Sequence, residues 1–218
     1  MLELFSVNYL SRLFDGLLLT LEISFFSILI SSFGGLVFGI LMSLNNKFIY
    51  IFCRFCLEFV RVMPLIVWLF VVYFGLSRWF GLNLSALAST ILVFSIWGIF
   101  EMMDLVRASL ASIAKHQFES ALSLGFTRLQ TYLYIILPQA LRRLTPMSMN
   151  LLTRMIKSST FAFLIGVAEL VKVGQQIIEA NHSFVYASFV IYGLIFFVFF
   201  LLCYPLSLYS KFLEKKWS

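Results

Sequence analysis

Residues Glu119 to Pro138 read ESALSLGFTRLQTYLYIILP, a polar stretch set between long apolar runs of a very hydrophobic chain. Gly125 can adopt the left-handed conformation that ends a helix. Thr127 with Gln130 three residues later forms a capping-box pattern that would start another. We therefore predict that the wider 113–138 segment forms two short helices with a break, a stiff docking loop for a partner protein. An ordinary connection between helices is the alternative, because short capping patterns recur by chance.

The composition places the chain in a membrane. Hydrophobic residues make up 61% of the 218 residues and charged residues 12%, which is far from the average of soluble proteins. The fold class that this predicts is an all-α membrane protein with about five transmembrane helices. We expect the spans at roughly residues 16–44, 60–80, 86–106, 140–165 and 187–209.

The N-terminal residues do not resemble a secretory signal, because they lack a basic start and a small-residue cleavage site. Apolar residues recur in them at helical spacing, beside polar ones, which favours an amphipathic helix over a disordered terminus. We predict an interfacial helix at 1–15, a transmembrane domain at 16–210 that includes the 113–138 segment, and a cytoplasmic tail at 211–218.

The basic residues predict the orientation of the chain. If the N-terminus is outside, thirteen of the sixteen Lys and Arg residues fall in inner segments, as positive charge in membrane proteins does. The predicted orientation is therefore N-terminus out and C-terminus in. The net charge of +6 is spread over three inner segments, so it indicates topology and predicts no nucleic-acid partner.

The 113–138 segment resembles the signature of ABC-transporter permeases of the importer type, in the spacing of Glu119, Ala121, Gly125, Ile135, Leu137 and Pro138. Other parts of the chain look like the polar amino acid uptake subfamily of these permeases. They are Gly16–Ser24, Glu58–Arg61 with Pro64, Arg107, Gln117, Leu137–Arg142, Pro146, Asn150, Lys157 with Ser159 and Thr160, and Ile165–Leu170. Roughly 190 of the 218 residues can be laid on the family pattern.

This resemblance implies a type I importer permease in a bacterial inner membrane that translocates polar amino acids. The implied partners are two ABC ATPase subunits, a second permease copy or paralogue, an extracytoplasmic amino-acid-binding protein and membrane lipid. The resemblance also implies a chain that is not itself an enzyme. The sequence contains no G-x-x-x-x-G-K-[ST] phosphate loop, so ATP and Mg²⁺ would be bound by the partner ATPase.

The residues that would meet the ATPase all lie in the 113–138 segment. They are Glu119, Ser120, Ala121, Gly125, Ile135, Leu137 and Pro138. Elsewhere the chain departs from the family's usual residues, which bears on its cargo. The departures are Val62, Met63, Trp68, Glu101, Asp104, Ala108, His116 and Ser158.

Ionisable residues inside the spans are candidates for the substrate path, because a charge within hydrocarbon is costly. We hypothesise that Glu101 lines the path and attracts an ammonium group, although it could instead have a partner within the helix bundle. Glu22 is a second candidate in the first span. Lys157, Ser159 and Thr160 could contact a carboxylate, but satisfying backbone groups is the favoured role. Two pairs three residues apart predict local ion pairs, Asp104 with Arg107 and Glu58 with Arg61.

Two other classes of protein are alternatives to the importer permease. An ion-coupled secondary transporter could use Glu22 and Glu101 as ion sites, but the sequence has no convincing internal repeat. A membrane-embedded enzyme would need a convergent catalytic set, which two distant histidines do not supply. No metal site is expected, because Cys53 and Cys56 have no second pair of ligands. Gly35-Leu-Val-Phe-Gly39 predicts close packing of a neighbouring helix.

Overall fold

The computed structural model describes residues 6–44 and 46–217, and in these ranges every regular element is a helix. The helices are α1 (Val7–Ser43), α2 (Lys47–Val62), α3 (Leu65–Phe80), α4 (Ala86–Ala111), α5 (Lys115–Ser123), α6 (Arg128–Ile165), α7 (Leu170–Ala180) and α8 (Ala187–Trp217). Two helices contain a π-helical turn, α3 at Val71–Gly75 and α6 at Tyr132–Ile136. The predicted all-α class is confirmed.

Three helices, α1, α4 and α8, are long and apolar enough to cross a membrane. Two further spans are possible if each of two bent helix pairs counts as one. One pair is α2 with α3, bent by 94°, and the other is α6 with α7, bent by 52°. The predicted number of about five corresponds to counting both pairs.

The predicted second span, 60–80, does not lie on one continuous helix. Helix α2 ends at Val62, and the chain bends by 94° before α3 begins at Leu65. Pro64 explains the break, because it lacks the N–H of a continuing helix and disfavours a helical conformation at Met63.

The predicted fourth span, 140–165, lies within a longer helix and ends where that helix ends. Helix α6 begins at Arg128 and continues through Pro138, so the second helix of the 113–138 segment is long rather than short. The π-helical turn just before Pro138 explains this. Its wider hydrogen-bonding pattern leaves room for a ring that would otherwise press on the carbonyl four residues earlier. Beyond Ile165 the chain forms α7, where no helix was predicted.

The two ends of the predicted transmembrane domain do not coincide with helix ends. Residues 1–5 lie outside the described residues, and Val7 to Asp15 form the first turns of α1 with no break at Gly16. Gly16 faces α7, and an added Cβ would lie 3.1 Å from the Leu170 Cα, so this glycine serves close packing. At the other end, the predicted tail continues α8 to Trp217.

The chain divides into two compact units. The first comprises residues 6–29, 63–95 and 152–205. Two buried clusters lie in its core among the described residues. One cluster joins α1 to α7 and α8 through Leu13, Leu170, Val173, Ile177, Ala187, Ile191 and Ile195. The other joins α1, α3, α4 and the end of α6 through Ile23, Leu69, Val93, Phe94, Ala162, Ile165 and Val167.

The second unit comprises residues 30–44, 46–62, 96–151 and 206–217. Its buried cluster joins α1, α2 and α4 through Met42, Cys53, Leu57 and Met103. Gly35 and Gly39 lie against α4, and a Cβ added to Gly39 would come within 2.5 Å of the Val106 Cβ. The predicted close packing at these two glycines is confirmed.

Candidate coupling site

The end of α5 is closed by backbone hydrogen bonds around Gly125. This glycine has a φ of +87°, in the left-handed region. The Phe126 N–H donates to the Ala121 carbonyl at 3.1 Å, and the Gly125 N–H donates to the Leu122 carbonyl at 3.0 Å. Together these bonds form a Schellman motif, which satisfies the last carbonyls of the helix. The predicted left-handed helix end at Gly125 is confirmed.

The next helix starts with a reciprocal cap. The Gln130 N–H donates to the Thr127 hydroxyl at 3.3 Å, and the Thr127 N–H donates to the Gln130 side-chain oxygen at 2.8 Å. The predicted capping box is therefore confirmed. Residues 124–127 alone connect α5 to α6, and hydrogen bonds hold both ends of this connection. Such a connection transmits a displacement better than a flexible loop.

Side chains hold α5 against the π-helical turn of α6. The rings of Phe118 and Tyr132 meet edge to face, with centroids 5.6 Å apart. Ala121 is only 2% exposed, so its small side chain faces the chain's own interior. Ala121 is one of the residues predicted from the sequence to meet the ATPase. Its burial means that a partner would contact its neighbours instead.

The outward side of the 113–138 segment exposes both charged and apolar side chains. Glu119 pairs with Lys115 at 3.2 Å, and both side chains are largely exposed. Such a pair contributes little to stability. Two leucines beside Gly125 are also exposed, Leu124 by 78% and Leu129 by 69%. Exposed apolar residues gathered around a rigid turn are typical of a protein contact surface.

Four other predicted coupling residues lie on the two helices, one on α5 and three on α6. Ser120 is exposed on α5, and Leu137 and Pro138 are exposed on α6. Ile135 is half-buried. Six of the seven predicted residues thus lie on two adjoining helices and Gly125 lies in the connection between them, with Ala121 buried and the others at least partly accessible.

A network of four charges joins α2 to α4 in the second unit. Arg61 donates from Nε to Glu101 at 2.7 Å and from Nη2 to Asp104 at 3.1 Å. Arg107 donates two hydrogen bonds to the other oxygen of Asp104, at 3.0 and 2.7 Å. Glu101 is 6% exposed. The four formal charges cancel, and Arg61 is a partner for Glu101 within the bundle, which is the alternative that the sequence left open for this acid.

The local pairs predicted from spacing have different outcomes. The Asp104–Arg107 pair is confirmed. The Glu58–Arg61 pair is wrong, since Glu58 instead binds Arg54 at 2.7 Å. Arg61 turns to α4 because two carboxylates three residues apart on that helix attract its charge more strongly than one.

The other candidate path residues lie in the first unit. Glu22 is exposed on α1, and Lys157 is exposed near the end of α6. The Ser159 hydroxyl donates to the Ile156 carbonyl at 2.8 Å, and the Thr160 hydroxyl donates to the Lys157 carbonyl at 2.9 Å. The two hydroxyls thus satisfy backbone groups, which is the role that the sequence analysis favoured for them.

One buried acid was not singled out by the sequence analysis. Glu169 is fully buried at the start of α7, where its carboxylate accepts the N–H groups of Val171 and Lys172 at 3.0 and 2.9 Å. Glutamate is not among the preferred N-cap residues, but an acid at the start of an apolar helical stretch interacts favourably with the helix dipole, so the sequence contained a hint of this role. In the same region the Thr20 hydroxyl accepts the Leu170 N–H at 3.4 Å.

The cysteines and histidines form no recognisable metal centre in the part of the chain that the structure describes. No three His, Cys, Asp or Glu residues there are placed to hold a metal ion. Cys53, Cys56 and Cys203 are all free thiols.

Comparison with known sequences finds close similarity over almost the whole chain. The chain is 32% identical over 215 residues to the probable glutamine ABC transporter permease protein GlnP of Bacillus subtilis, covering 97% of this chain and 96% of that protein. It is 33% identical over 174 residues to the glutamine transport system permease protein GlnP of Escherichia coli, covering 78% of each.

Comparison with solved structures gives the same fold. A crystal structure of an amino acid ABC transporter with histidines matches with a TM-score of 0.84 at 27% identity, over 95% of this chain and 97% of that one. The MetNI methionine ABC transporter, in an inward-facing conformation, matches with a TM-score of 0.76 at 17% identity over 98% of this chain and 99% of that one, which shows the fold alone. Residues 35–216 match the family described as binding-protein-dependent transport system inner membrane component. The chain belongs to this family of transporter permeases.

Proposed function

We propose that this chain is the permease subunit of an ABC importer that carries polar amino acids across the bacterial inner membrane. In this proposal two partner ATPase subunits bind ATP and Mg²⁺ and supply the energy. A second permease, identical or related, completes the channel, and an extracytoplasmic binding protein delivers the amino acid. The N-terminus lies outside and the C-terminus inside. The relatives named as glutamine permeases support this assignment.

The observation that carries the ATPase contact is the double-capped connection between α5 and α6. The Schellman motif and the capping box fix residues 124–127, and Leu124 and Leu129 are exposed beside them. In an aqueous compartment, exposed leucines on a rigid turn favour burial against another protein. Glu119 adds a charged group on the same helix, α5.

This geometry can transmit movement from a partner to the membrane helices. Helix α5 follows α4 after residues 112–114, and α6 follows α5 after residues 124–127. A partner that displaces α5 therefore pulls on both longer helices. ATP can drive the change only by binding one conformation of the assembly more tightly than the other, because equal binding shifts no equilibrium.

The test is co-purification of an ATPase subunit with the permease, followed by amino acid uptake in reconstituted vesicles. Leu124→Asp should abolish both co-purification and ATP-dependent uptake, since it puts a charge where apolar contact is expected. Leu82→Asp is the matched control. It makes the same change at another exposed leucine, 56% accessible, outside the 113–138 segment. Normal co-purification of the Leu124→Asp permease would contradict the proposed contact.

The same vesicles separate the importer from an ion-coupled transporter that uses Glu22 and Glu101. Amino acid uptake by an importer requires ATP and the ATPase subunit and does not depend on an imposed ion gradient. Uptake driven by a proton or sodium gradient in the absence of the ATPase would reject our proposal.

A further inference from the structure

A cavity of about 800 Å³ lies within the second unit, beside the 113–138 segment. Its wall combines the C-terminal part of α1, the end of α4, α5 and the first half of α6, with Tyr50 of α2. The volume is in the range of roughly 300–1,000 Å³ that is typical of ligand sites. Its function is not accounted for by the ATPase contact, which concerns the outward side of the segment.

Most of the cavity wall is aliphatic. Leu36, Ile40, Leu110, Leu133, Ile136 and Leu141 are representative of it. Water makes no hydrogen bonds to such a wall, and a small soluble anion would leave most of its apolar surface uncovered. A long hydrocarbon chain would cover it and would gain the free energy of apolar burial.

The charged side chains that line the cavity, among the described residues, are both basic. Among the described residues that line it, the charged ones are Arg107 and Lys115, and Tyr50 and Tyr132 add hydroxyl groups. Asp104 occupies two of the five N–H donors of the Arg107 guanidinium. The Lys115 side chain is 89% exposed and its Glu119 partner lies 3.2 Å away. An anionic group could therefore bind both cations without first breaking a buried ion pair.

The position of the cavity suggests where such a ligand comes from. The proposed orientation puts the 113–138 segment and the end of α4 at the inner membrane surface, where anionic lipids create a negative potential. Tyrosines and basic residues are typical of that interface. Basic pockets between membrane helices on this side bind anionic lipid headgroups.

We propose that this cavity binds one anionic phospholipid of the inner leaflet. The acyl chain packs along the aliphatic wall, and the phosphate group lies between Arg107 and Lys115. Because α5 forms part of the wall, the bound lipid supports the helix that the ATPase is proposed to move. The inference rests on the proposed orientation and goes beyond the proposed function.

The test is native mass spectrometry of the purified permease assembly from nanodiscs that contain phosphatidylglycerol and phosphatidylcholine in equal amounts. The wild type should retain phosphatidylglycerol preferentially. Lys115→Gln should lower that preference about fivefold, as expected for one basic residue near an anionic lipid. Lys211→Gln is the matched control, since it removes an exposed lysine of α8 that does not line the cavity.

A second variant tests the aliphatic wall without changing charge. Ala111→Trp places a large side chain at the exposed end of α4, where it would occupy the cavity and displace the lipid. Ala88→Trp makes the same change at an exposed position at the opposite end of α4, so it controls for general damage. Retention of phosphatidylglycerol should fall in the first variant and stay unchanged in the second.

Three results would overturn the proposal. They are equal retention of the two lipids by the wild type, unchanged retention in both Lys115→Gln and Ala111→Trp, and displacement of the lipid by millimolar inorganic phosphate. Lipid retention is measured as the mass of lipid bound to the purified permease assembly, whereas the proposed function is tested by ATPase co-purification and ATP-dependent uptake. Failure of one experiment is therefore distinguishable from failure of the other.

Discussion

Gly125 is a position where a substitution changes the energy of the backbone conformation without crowding a neighbouring residue. Its φ of +87° lies in the region that side chains rarely adopt, and among the described residues no atom lies within 4 Å of where its Cβ would be. A substitution there strains the backbone without a steric clash. The cost therefore depends on how well the new residue tolerates the left-handed conformation.

Gly125→Val should weaken the end of α5 by about 1–2 kcal/mol, because a β-branched residue is poorly tolerated in the left-handed region. Gly125→Asn is the matched control, since asparagine adopts that conformation most readily after glycine. Valine should lower ATPase co-purification while the protein still inserts in the membrane, and asparagine should have little effect. Equal co-purification of both variants would show that this backbone turn does not govern the contact. Membrane insertion is checked by fractionation.

At the scale of helices, glycines determine where α1 and α4 approach each other. A methyl group at Gly39 would meet the Val106 side chain within 2.5 Å and the Met103 carbonyl within 2.9 Å. Gly193 in α8 differs, because no described atom lies within 4 Å of its added Cβ. The same substitution should therefore have opposite effects at the two sites.

Gly39→Ala should destabilise the permease by about 1–3 kcal/mol, the usual cost of overpacking a core contact. Gly193→Ala should instead stabilise it by up to about 1 kcal/mol through helix propensity. Thermal unfolding in detergent measures both as shifts of the melting temperature. A melting temperature for Gly39→Ala at or above the wild-type value would contradict the close packing of α1 on α4.

The charge network between α2 and α4 offers a test of its structural role. Arg61→Met should cost about 1–3 kcal/mol, because it removes the charged hydrogen bond that Arg61 donates to the buried Glu101 carboxylate. The double variant Arg61→Met, Glu101→Met should recover part of this loss, since apolar groups can replace a buried ion pair. Arg54→Met is the control. It breaks an exposed pair on the same helix and should cost less than about 1 kcal/mol.

Double-mutant analysis of thermal unfolding gives the coupling energy between Arg61 and Glu101. A coupling energy near zero would remove the structural role. Uptake by Glu101→Gln then tests the separate hypothesis that Glu101 attracts an ammonium group. Unchanged affinity and selectivity would reject that hypothesis and leave the network as a connection between helices.

The features predicted correctly from sequence are local. The left-handed Gly125, the capping box of Thr127 and Gln130, and the Asp104–Arg107 pair each depend on residues at most three positions apart. The packing at Gly35 and Gly39 was also predictable, because the absence of side chains is visible in the sequence even though the facing helix is not.

The features predicted wrongly depend on distant or competing interactions. Arg61 binds Glu101, forty residues away on another helix, rather than the acid three residues before it. Pro64 ends a helix, whereas Pro138 and Pro146 lie within α6. The difference at Pro138 depends on the preceding π-helical turn, which has no sequence signature that we can identify.

At the scale of the whole molecule, the proposed orientation can be tested with single cysteines. In a variant lacking Cys53, Cys56 and Cys203, cysteines are introduced one at a time at Leu124 and Val185, which are 78% and 85% exposed. A membrane-impermeant maleimide added to intact cells should label Val185→Cys alone. Labelling of Leu124→Cys should require opened cells that lack the ATPase subunit, since the ATPase is proposed to cover this position. The reverse pattern would place the 113–138 segment outside and contradict both the ATPase contact and the orientation used for the lipid site.

The π-helical turn at Tyr132–Ile136 has a consequence for how this chain can vary in length. Its hydrogen bonds close around one more residue than those of an α-helix. Deleting a single residue there would restore regular winding within the turn and leave the parts of α6 before and after it in nearly the same rotational relation, because the wider turn absorbs the extra residue. A one-residue deletion in a regular part of α6 would instead rotate the start of that helix by about 100° relative to its remainder, so at this turn the chain can lose one amino acid and keep the 124–127 connection facing the same direction.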